Sequence, residues 1–155
     1  MSGTDHAHER YTTNVDKGRY PQDVQVPLPA PFANAAGEIQ NLLLKPVQSV
    51  ARIESVKGAV RANHWHRTDF HYAFVESGKV LYFERDVGCT TIPEPITFGP
   101  GEMFFTPPAR EHAMLFAKDS VIFTFARRVR NHEEHEADVV RVAFITPEIA
   151  AEWVR

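Results

Sequence analysis

Four histidines in the middle of the chain have the residue type and spacing expected of metal ligands or acid–base groups. They are His64, His66, His71 and His112, out of eight histidines in 155 residues. Residues two apart in a β-strand face the same side, so the imidazoles of His64 and His66 project together, about 7 Å apart along the strand. Two imidazoles at that separation can converge on one metal ion. The alternative use of a buried histidine is hydrogen bonding to its neighbours.

The other two histidines are expected to face the same interior. His71 opens a predicted strand and shares its face with Ala73. His112 opens a later strand and shares its face with Met114. Because these same-face residues are apolar, both strands are expected to turn those faces toward the core. All four imidazoles could therefore meet inside one barrel.

The elements that must position these histidines are short β-prone runs separated by turns. The 11 prolines and 8 glycines are spread between these runs, which is typical of an all-β protein. A turn is expected at Ser77 and Gly78, because glycine readily adopts the positive φ of a tight hairpin. About eight strands and one C-terminal helix are predicted. The β-prone runs are 41–45, 47–55, 59–65, 70–76, 79–85, 103–106, 113–116, 121–126 and 139–145, and the helix is 148–154.

The chain is expected to form one domain preceded by an irregular arm. Its 17.6 kDa fits a single domain. Residues 1–36 carry four prolines and little apolar periodicity, which predicts an irregular arm with a short edge strand near Val24. Residues 37–155 then form the barrel domain. Such an arm can wrap the barrel or a partner subunit.

Composition excludes several classes of protein. With 17 Lys plus Arg against 20 Asp plus Glu, the net charge of −3 gives no support to nucleic-acid or anionic-membrane binding. A disulfide within the chain is excluded because Cys89 is the only cysteine. No apolar run approaches the ~18–20 residues that span a bilayer, and the first residues lack the pattern of a secretory signal. We expect a cytoplasmic protein whose partner is a small-molecule substrate.

Two motifs resemble those of the cupin superfamily. The first consists of Gly58, His64, His66, His71 and Gly78, separated by five, one, four and six residues. The second consists of Gly101, Pro107, Ala109 and His112, separated by five, one and two residues. This resemblance implies an all-β fold, a double-stranded β-helix (jelly-roll) barrel with a short C-terminal helix. It also implies a homodimer, because cupins are commonly dimers.

The resemblance further implies a metal site inside the barrel. Its ligands would be His64, His66, His71 and His112, holding one divalent transition metal ion: Zn, Fe, Ni, Mn or Cu. His71 stands where the cupin pattern usually has Glu, so the implied ligand set is neutral and its metal identity stays open. Ala109 replaces the usual Gly, and Phe116 stands where Asn is frequent.

A narrower resemblance concerns the strand that carries the first two histidines. Residues 60–66 are similar to the corresponding strand of cupins that act on nucleotide-linked sugars, which often work without a metal. Arg61 could orient a carboxylate or phosphate through its planar guanidinium, or it could face outward as an ordinary strand residue. The catalytic candidates are Arg61, His64 and His112.

Three functions are consistent with these features. The first is an enzyme in which a metal ion on four histidines polarises a small carbonyl- or sugar-type substrate for isomerisation, epimerisation, cyclisation or lyase chemistry. The second is a non-haem Fe(II) dioxygenase, whose phenylalanine-rich interior would exclude water. The third is a binding module without catalytic activity.

The remaining histidines and the cysteine are predicted to have no role in the site. The segment 131–136 contains His132 and His135 among acidic residues, and we interpret it as a solvated loop. His6 and His8 belong to the arm. Cys89 lies beside a glycine in a predicted loop and is expected to be a bystander.

Overall fold

Two five-stranded antiparallel sheets form the centre of the molecule in the computed structural model, which describes residues 20–155. The residues before position 20, including His6 and His8, lie outside the described residues. The elements are β1 (Gln25–Val26), β2 (Phe32–Asn34), β3 (Gly37–Ile39), β4 (Ser49–Ser55), β5 (Val60–His66), β6 (His71–Ser77), β7 (Val80–Asp86), β8 (Ile96–Phe98), β9 (Met103–Thr106), β10 (Arg110–Phe116), β11 (Ser120–Ala126), α1 (His132–Asp138), β12 (Val139–Arg141) and α2 (Pro147–Trp153).

The strand order is that of a jelly roll. One sheet runs β1-β9-β6-β11-β4 and the other β12-β5-β10-β7-β8, so most neighbours are distant in sequence. The predicted all-β jelly-roll barrel with a short C-terminal helix is confirmed. Thr146 caps that helix: its hydroxyl accepts a hydrogen bond from the backbone N–H of Ile149. The predicted turn is confirmed too, with Gly78 at φ 95° between β6 and β7.

The structure differs from the predicted elements in several places. The predicted strand 41–45 is absent, and β8 forms where no strand was predicted. A hairpin of β2 and β3 lies across the expected boundary between arm and barrel at residues 36 and 37. The last predicted strand is shorter, ending at Arg141 rather than at residue 145. The segment 131–136, predicted as a solvated loop, lies mostly in α1. That helix begins with a capping interaction, because the Asn131 side chain accepts from the backbone N–H of Glu134 at 2.9 Å.

The apolar core fills one end of the space between the sheets and leaves the histidines at the other end. Aromatic side chains dominate it, and the rings of Phe98 and Phe104 stack at 4.8 Å. Strand register shows the separation of the two ends. His112 lies opposite His64, whereas Phe116, at the other end of β10, lies opposite Val80. The packed end thus supports a rigid frame around the histidine end.

No helix among residues 20–155 has the length and apolar character needed to cross a membrane.

Candidate functional site

Three of the four predicted histidines converge inside the barrel. His64 and His66 lie on β5, and His112 lies on the adjacent strand β10. One ring nitrogen from each lies within 4.8 Å of one from each of the other two. The ring centroids of His64 are 4.7 Å from His66 and 4.8 Å from His112. All three side chains are buried.

A β-bulge in β5 aims the first of these histidines. Ala62 and Asn63 have left-handed backbone conformations, with φ of 68° and 56°. The register of β10 against β5 shifts at this point, so Asn63 has no residue opposite it. A bulge bends its strand and re-aims the side chains beside it. His64 and His66 follow the bulge, and their predicted common face is therefore kept.

The Asn63 side chain stabilises this bulge through two hydrogen bonds to one distant residue. Its amide N–H donates to the backbone carbonyl of Ile145 at 3.0 Å, and its carbonyl accepts from the backbone N–H of Ile145 at 3.0 Å. Asparagine also tolerates the left-handed conformation better than most residues. These two hydrogen bonds join β5, the strand that carries His64 and His66, to the segment before α2.

Replacing Asn63 with alanine is expected to lower the free energy of unfolding by roughly 2–4 kcal/mol, because two buried backbone groups of Ile145 lose their partners. Chemical denaturation measures the change. Asn34→Ala is the control, since Asn34 makes a single comparable bond to the Ala36 N–H in an exposed turn. Equal effects of the two substitutions would contradict this account of the bulge.

Hydrogen bonds fix the protonated nitrogen of two imidazoles. The Nδ1 of His66 lies 3.1 Å from a carboxylate oxygen of Asp138, and the Nδ1 of His112 lies 3.0 Å from the backbone carbonyl of Arg110. Both partners only accept, so both Nδ1 atoms carry hydrogen, and in the metal-binding form of each ring the Nε2 atom presents a lone pair. Those Nε2 atoms are buried and have no hydrogen-bond partner among residues 20–155.

Asp138 is well suited to hold His66. Burial alone would raise the pKa of its carboxyl, but hydrogen bonds from His66, Thr68 and Asp69 outweigh burial and hold that pKa below its usual value. The Thr68 hydroxyl and backbone N–H donate to one oxygen at 2.8 and 2.9 Å. The group is therefore an anion at neutral pH, oriented by four donors.

Burial keeps two of the imidazoles neutral. It lowers the pKa of His64 to about 2, with further contributions from His112 and His66. It lowers the pKa of His112 to about 3, with a contribution from His66. A neutral imidazole is the form that binds a metal ion.

These pKa shifts predict acid destabilisation of the metal-free protein. Below pH about 6.5 the unfolded chain protonates His64 and His112, whereas the folded chain does not until pH about 2 to 3. The free energy of unfolding is therefore highest above pH 6.5. As the pH falls below 6.5, it decreases by about 1.4 kcal/mol per pH unit for each histidine. Denaturation between pH 7 and 4 measures the slope. His112→Gln should reduce this slope, whereas the control His132→Ala, which removes an exposed histidine, should not. An equal slope in all three proteins would contradict the conclusion that burial keeps His112 neutral.

His71 approaches the same region from the opposite sheet. It begins β6 and is buried, with its ring 6.0 Å from that of His66 and 5.6 Å from that of His112. It is not part of the group of nitrogens that lie within 4.8 Å of one another among the described residues. Its Nδ1 lies 3.2 Å from an Nη of Arg130, whose Nε donates to Asp69 at 2.8 Å. Burial, followed by Arg130, lowers the pKa of His71 well below its usual value.

His135 is a site residue that the sequence analysis missed. Its ring lies 6.0 Å from that of His64 and 5.6 Å from that of His66. It is half-buried, and burial followed by Arg130 lowers its pKa. The overlooked signal was the capping pattern that starts α1, because in a helix His135 and Asp138, three residues apart, lie on one face.

Arg61 is not brought to the histidines. Its Nε donates to the Ser55 hydroxyl at 2.7 Å, and an Nη donates to the backbone carbonyl of Glu54. Ser55 lies opposite Ser120, at the end of β11 far from Ala126, which pairs with His71. Arg61 thus occupies the outward-facing position that was the alternative for it.

A cavity lies against His135 and against Asp138 and Arg130, the partners of His66 and His71. It has a volume of about 460 Å³ and is lined by 67–69, by 128–130 and by residues of α1 that include His135 and Asp138. Two of its arginines, Arg67 and Arg128, make no ion pair with any residue from 20 to 155. Guanidinium groups of this kind can bind a phosphate or carboxylate.

Comparison with known proteins places the architecture. No protein-family model and no curated protein matches the sequence. Among solved structures, the 3,4-ketoisomerase QdtA from Thermoanaerobacterium thermosaccharolyticum in complex with TDP is 16% identical, with a TM-score of 0.58 over 81% of this chain and 93% of that chain. The chain has the cupin fold.

Two epimerases have a similar cupin barrel. The RmlC epimerase of Mycobacterium tuberculosis is 15% identical, with a TM-score of 0.61 over 79% of this chain and 70% of that chain. The 3'-monoepimerase ChmJ from Streptomyces bikiniensis, in complex with dTDP-quinovose, is 15% identical, with a TM-score of 0.62 over 79% and 71%. Matches at this identity establish the fold of this chain.

Proposed function

We propose that this chain is an isomerase or epimerase of a keto sugar and that His64, His66 and His112 hold one divalent transition metal ion. The observation that carries the proposal is the convergence of three buried imidazoles, one of which is bonded to Asp138 in the lining of a cavity. Similar solved structures support the class of reaction, since they include ketoisomerases and epimerases.

The three imidazoles fit a transition metal ion. Each has a buried ring nitrogen without a hydrogen-bond partner in the described part of the chain: Nδ1 of His64 and Nε2 of His66 and His112. An unpartnered buried polar atom costs about 1–3 kcal/mol, so three at one place favour a bound ligand. An all-nitrogen set suits Zn, Fe, Ni, Mn or Cu. The bond from His66 to Asp138 is the outer contact that such a ligand histidine usually makes.

The residues of the chain account for the movement of the proton. When bound, the ion would polarise the carbonyl oxygen of the sugar and so acidify the neighbouring C–H. His135 is neutral at neutral pH and lines the cavity, so one of its ring nitrogens can accept that proton. Return of a proton to the other face of the same carbon would complete epimerisation. Its return to the former carbonyl carbon, with transfer of a hydroxyl proton between the two oxygens, would complete isomerisation. Neither reaction changes the number of protons, and exchange of the proton on His135 with solvent before its return would bring deuterium into the sugar in D₂O.

We propose a nucleotide-linked keto sugar as the substrate. A mutant of the QdtA ketoisomerase was solved in complex with TDP-4-keto-6-deoxyglucose, and an RmlC epimerase from Legionella pneumophila with dTDP-4-keto-L-rhamnose. In this chain, the guanidinium groups of Arg67 and Arg128 at the cavity would bind the phosphates.

Incorporation of deuterium tests this proposal. The metal-loaded protein is incubated with TDP-4-keto-6-deoxyglucose in D₂O, and NMR follows deuterium at the carbons that flank the keto group. We expect exchange by the wild type and none by the double variant His64→Ala/His112→Ala. Binding without exchange would favour a non-catalytic binding module. Uptake of oxygen that depends on Fe would favour the dioxygenase.

The homodimer also stays a proposal, as does the cytoplasmic location. Large apolar side chains of the segment before β4 are exposed: Phe32 by 62%, Ile39 by 67% and Leu44 by 80%. A second copy of the chain could cover them. Sedimentation analysis of the wild type beside Phe32→Ser/Leu44→Ser tests this, with a dimer expected for the first and a monomer for the second.

A further inference from the structure

The contact between His71 and Arg130 determines which nitrogen of His71 carries hydrogen. An arginine guanidinium only donates, so the Nδ1 of His71, 3.2 Å from an Nη of Arg130, accepts. The neutral ring then has its hydrogen on Nε2. This is the reverse of His66 and His112, whose hydrogen lies on Nδ1. His71 therefore differs in hydrogen position from two of the residues that were expected to act like it.

The surroundings of Arg130 hold this arrangement in place. Its Nε donates to Asp69 at 2.8 Å, and the other oxygen of Asp69 accepts from the backbone N–H of Arg128. Asp69 is buried, with 2% of its surface exposed. The guanidinium thus has a fixed position between a buried carboxylate and the His71 ring.

The Nε2–H of His71 is a buried donor without a partner among residues 20–155. His71 is 3% exposed, and its Nε2 makes no hydrogen bond there. Two nitrogens that share one ion at about 2.1 Å each are at most about 4.2 Å apart. Even with a wider limit of 4.8 Å between nitrogens, His71 does not belong to the group that His64, His66 and His112 form. Both the position of its hydrogen and its distance therefore separate His71 from the ligand set.

We propose that His71 donates a hydrogen bond from Nε2 to the substrate oxygen that gains negative charge, and that Arg130 and Asp69 are its positioning residues. This inference rests on the proposed function, since the oxygen is that of the polarised carbonyl. Proton removal from the neighbouring carbon turns the carbonyl into an enolate, and the N–H of His71 stabilises the charge that develops on it. The hydrogen stays on His71, so no further proton acceptor is required. A fixed donor of this kind contributes most when water is excluded, as it is at this buried position.

Two variants of nearly equal shape distinguish a donor from a ligand. His71→Gln keeps an N–H donor but is a weak metal ligand, whereas His71→Glu is a good ligand and, when ionised, cannot donate. We expect His71→Glu to lower the deuterium exchange rate by about 10²–10³-fold, in kcat with little change in KM. We expect His71→Gln to stay at least about tenfold faster than His71→Glu. Both should bind one equivalent of metal.

A spectroscopic measurement is independent of turnover. The ¹⁵N chemical shifts of the His71 ring, in metal-free and zinc-loaded protein, report which nitrogen carries hydrogen; we expect Nε2 in both. Arg130→Lys keeps a cation beside Asp69 but removes the Nη contact, so it should release hydrogen to Nδ1 and lower the exchange rate.

The results separate the two proposals. No exchange by the wild type would overturn the proposed function. Exchange with hydrogen on Nδ1 of His71, or a His71→Glu variant that binds metal more tightly and exchanges as fast as the wild type, would overturn the inference about His71 alone.

Discussion

Replacing His135 with alanine is expected to lower the rate of proton exchange into TDP-4-keto-6-deoxyglucose by about 10²–10⁴-fold, the usual contribution of a positioned general base. The reason is its position and charge state. Its ring lies at the cavity, 5.6 Å from that of His66, and burial keeps its pKa below the usual value. A base with this pKa is neutral, and so able to accept a proton, at neutral pH.

The control for His135→Ala lies on the same helix. His132 is exposed and is not among the described residues that line the cavity, so His132→Ala should leave exchange unchanged. Both variants should keep their metal ion and their Tm, because neither residue belongs to the three-imidazole group. Equal exchange rates for His135→Ala and the wild type would show that another group accepts the proton.

The second large effect is expected from Asp138→Asn, which should weaken metal binding by about 10–100-fold. The carboxylate orients His66 through Nδ1 and increases the basicity of its Nε2. An amide removes the charge, and it also disturbs the bonds that Thr68 donates to one carboxylate oxygen. Competition with a chelator of known affinity measures the change.

Asp119→Asn is the matched control for this prediction. Asp119 accepts a single bond from the backbone N–H of Lys57 at 2.8 Å, in a turn at the far end of the barrel. Its substitution should leave metal affinity unchanged. If Asp138→Asn bound metal as tightly as Asp119→Asn, the interaction between Asp138 and His66 would stabilise the fold without contributing to metal affinity.

Motif spacing was sufficient for the fold, because the spacing encodes strand lengths and turns. The hairpin at Gly78 and the helix capped by Thr146 depend on local rules, and both were predicted. The alternation of faces in β5 also placed His64 and His66 together. The bulge before them was not foreseen, because no glycine marks the left-handed residues Ala62 and Asn63.

Parts of the site depend on long-range contacts that no local pattern encodes. Arg130 is 59 residues from His71, and Asp138 is 72 residues from His66. These partners decide which ring nitrogen carries hydrogen. Motif spacing contains no information about them, and the same role was therefore predicted for all four histidines. His135 was missed for a different reason. The acidic residues around it indicated a solvated segment, and the capping pattern at Asn131 that starts the helix was overlooked.

Elemental analysis of the purified, tag-free protein tests the central claim most directly. Wild-type protein is compared with His64→Ala/His112→Ala, and with His132→Ala as the control for loss of an exposed histidine. We predict about one equivalent of a transition metal in the wild type and in His132→Ala, and none in the double variant. Wild-type protein that neither contains a metal ion nor binds an added divalent ion would contradict the proposed centre. His64, His66 and His112 would then be acid–base or substrate-binding groups.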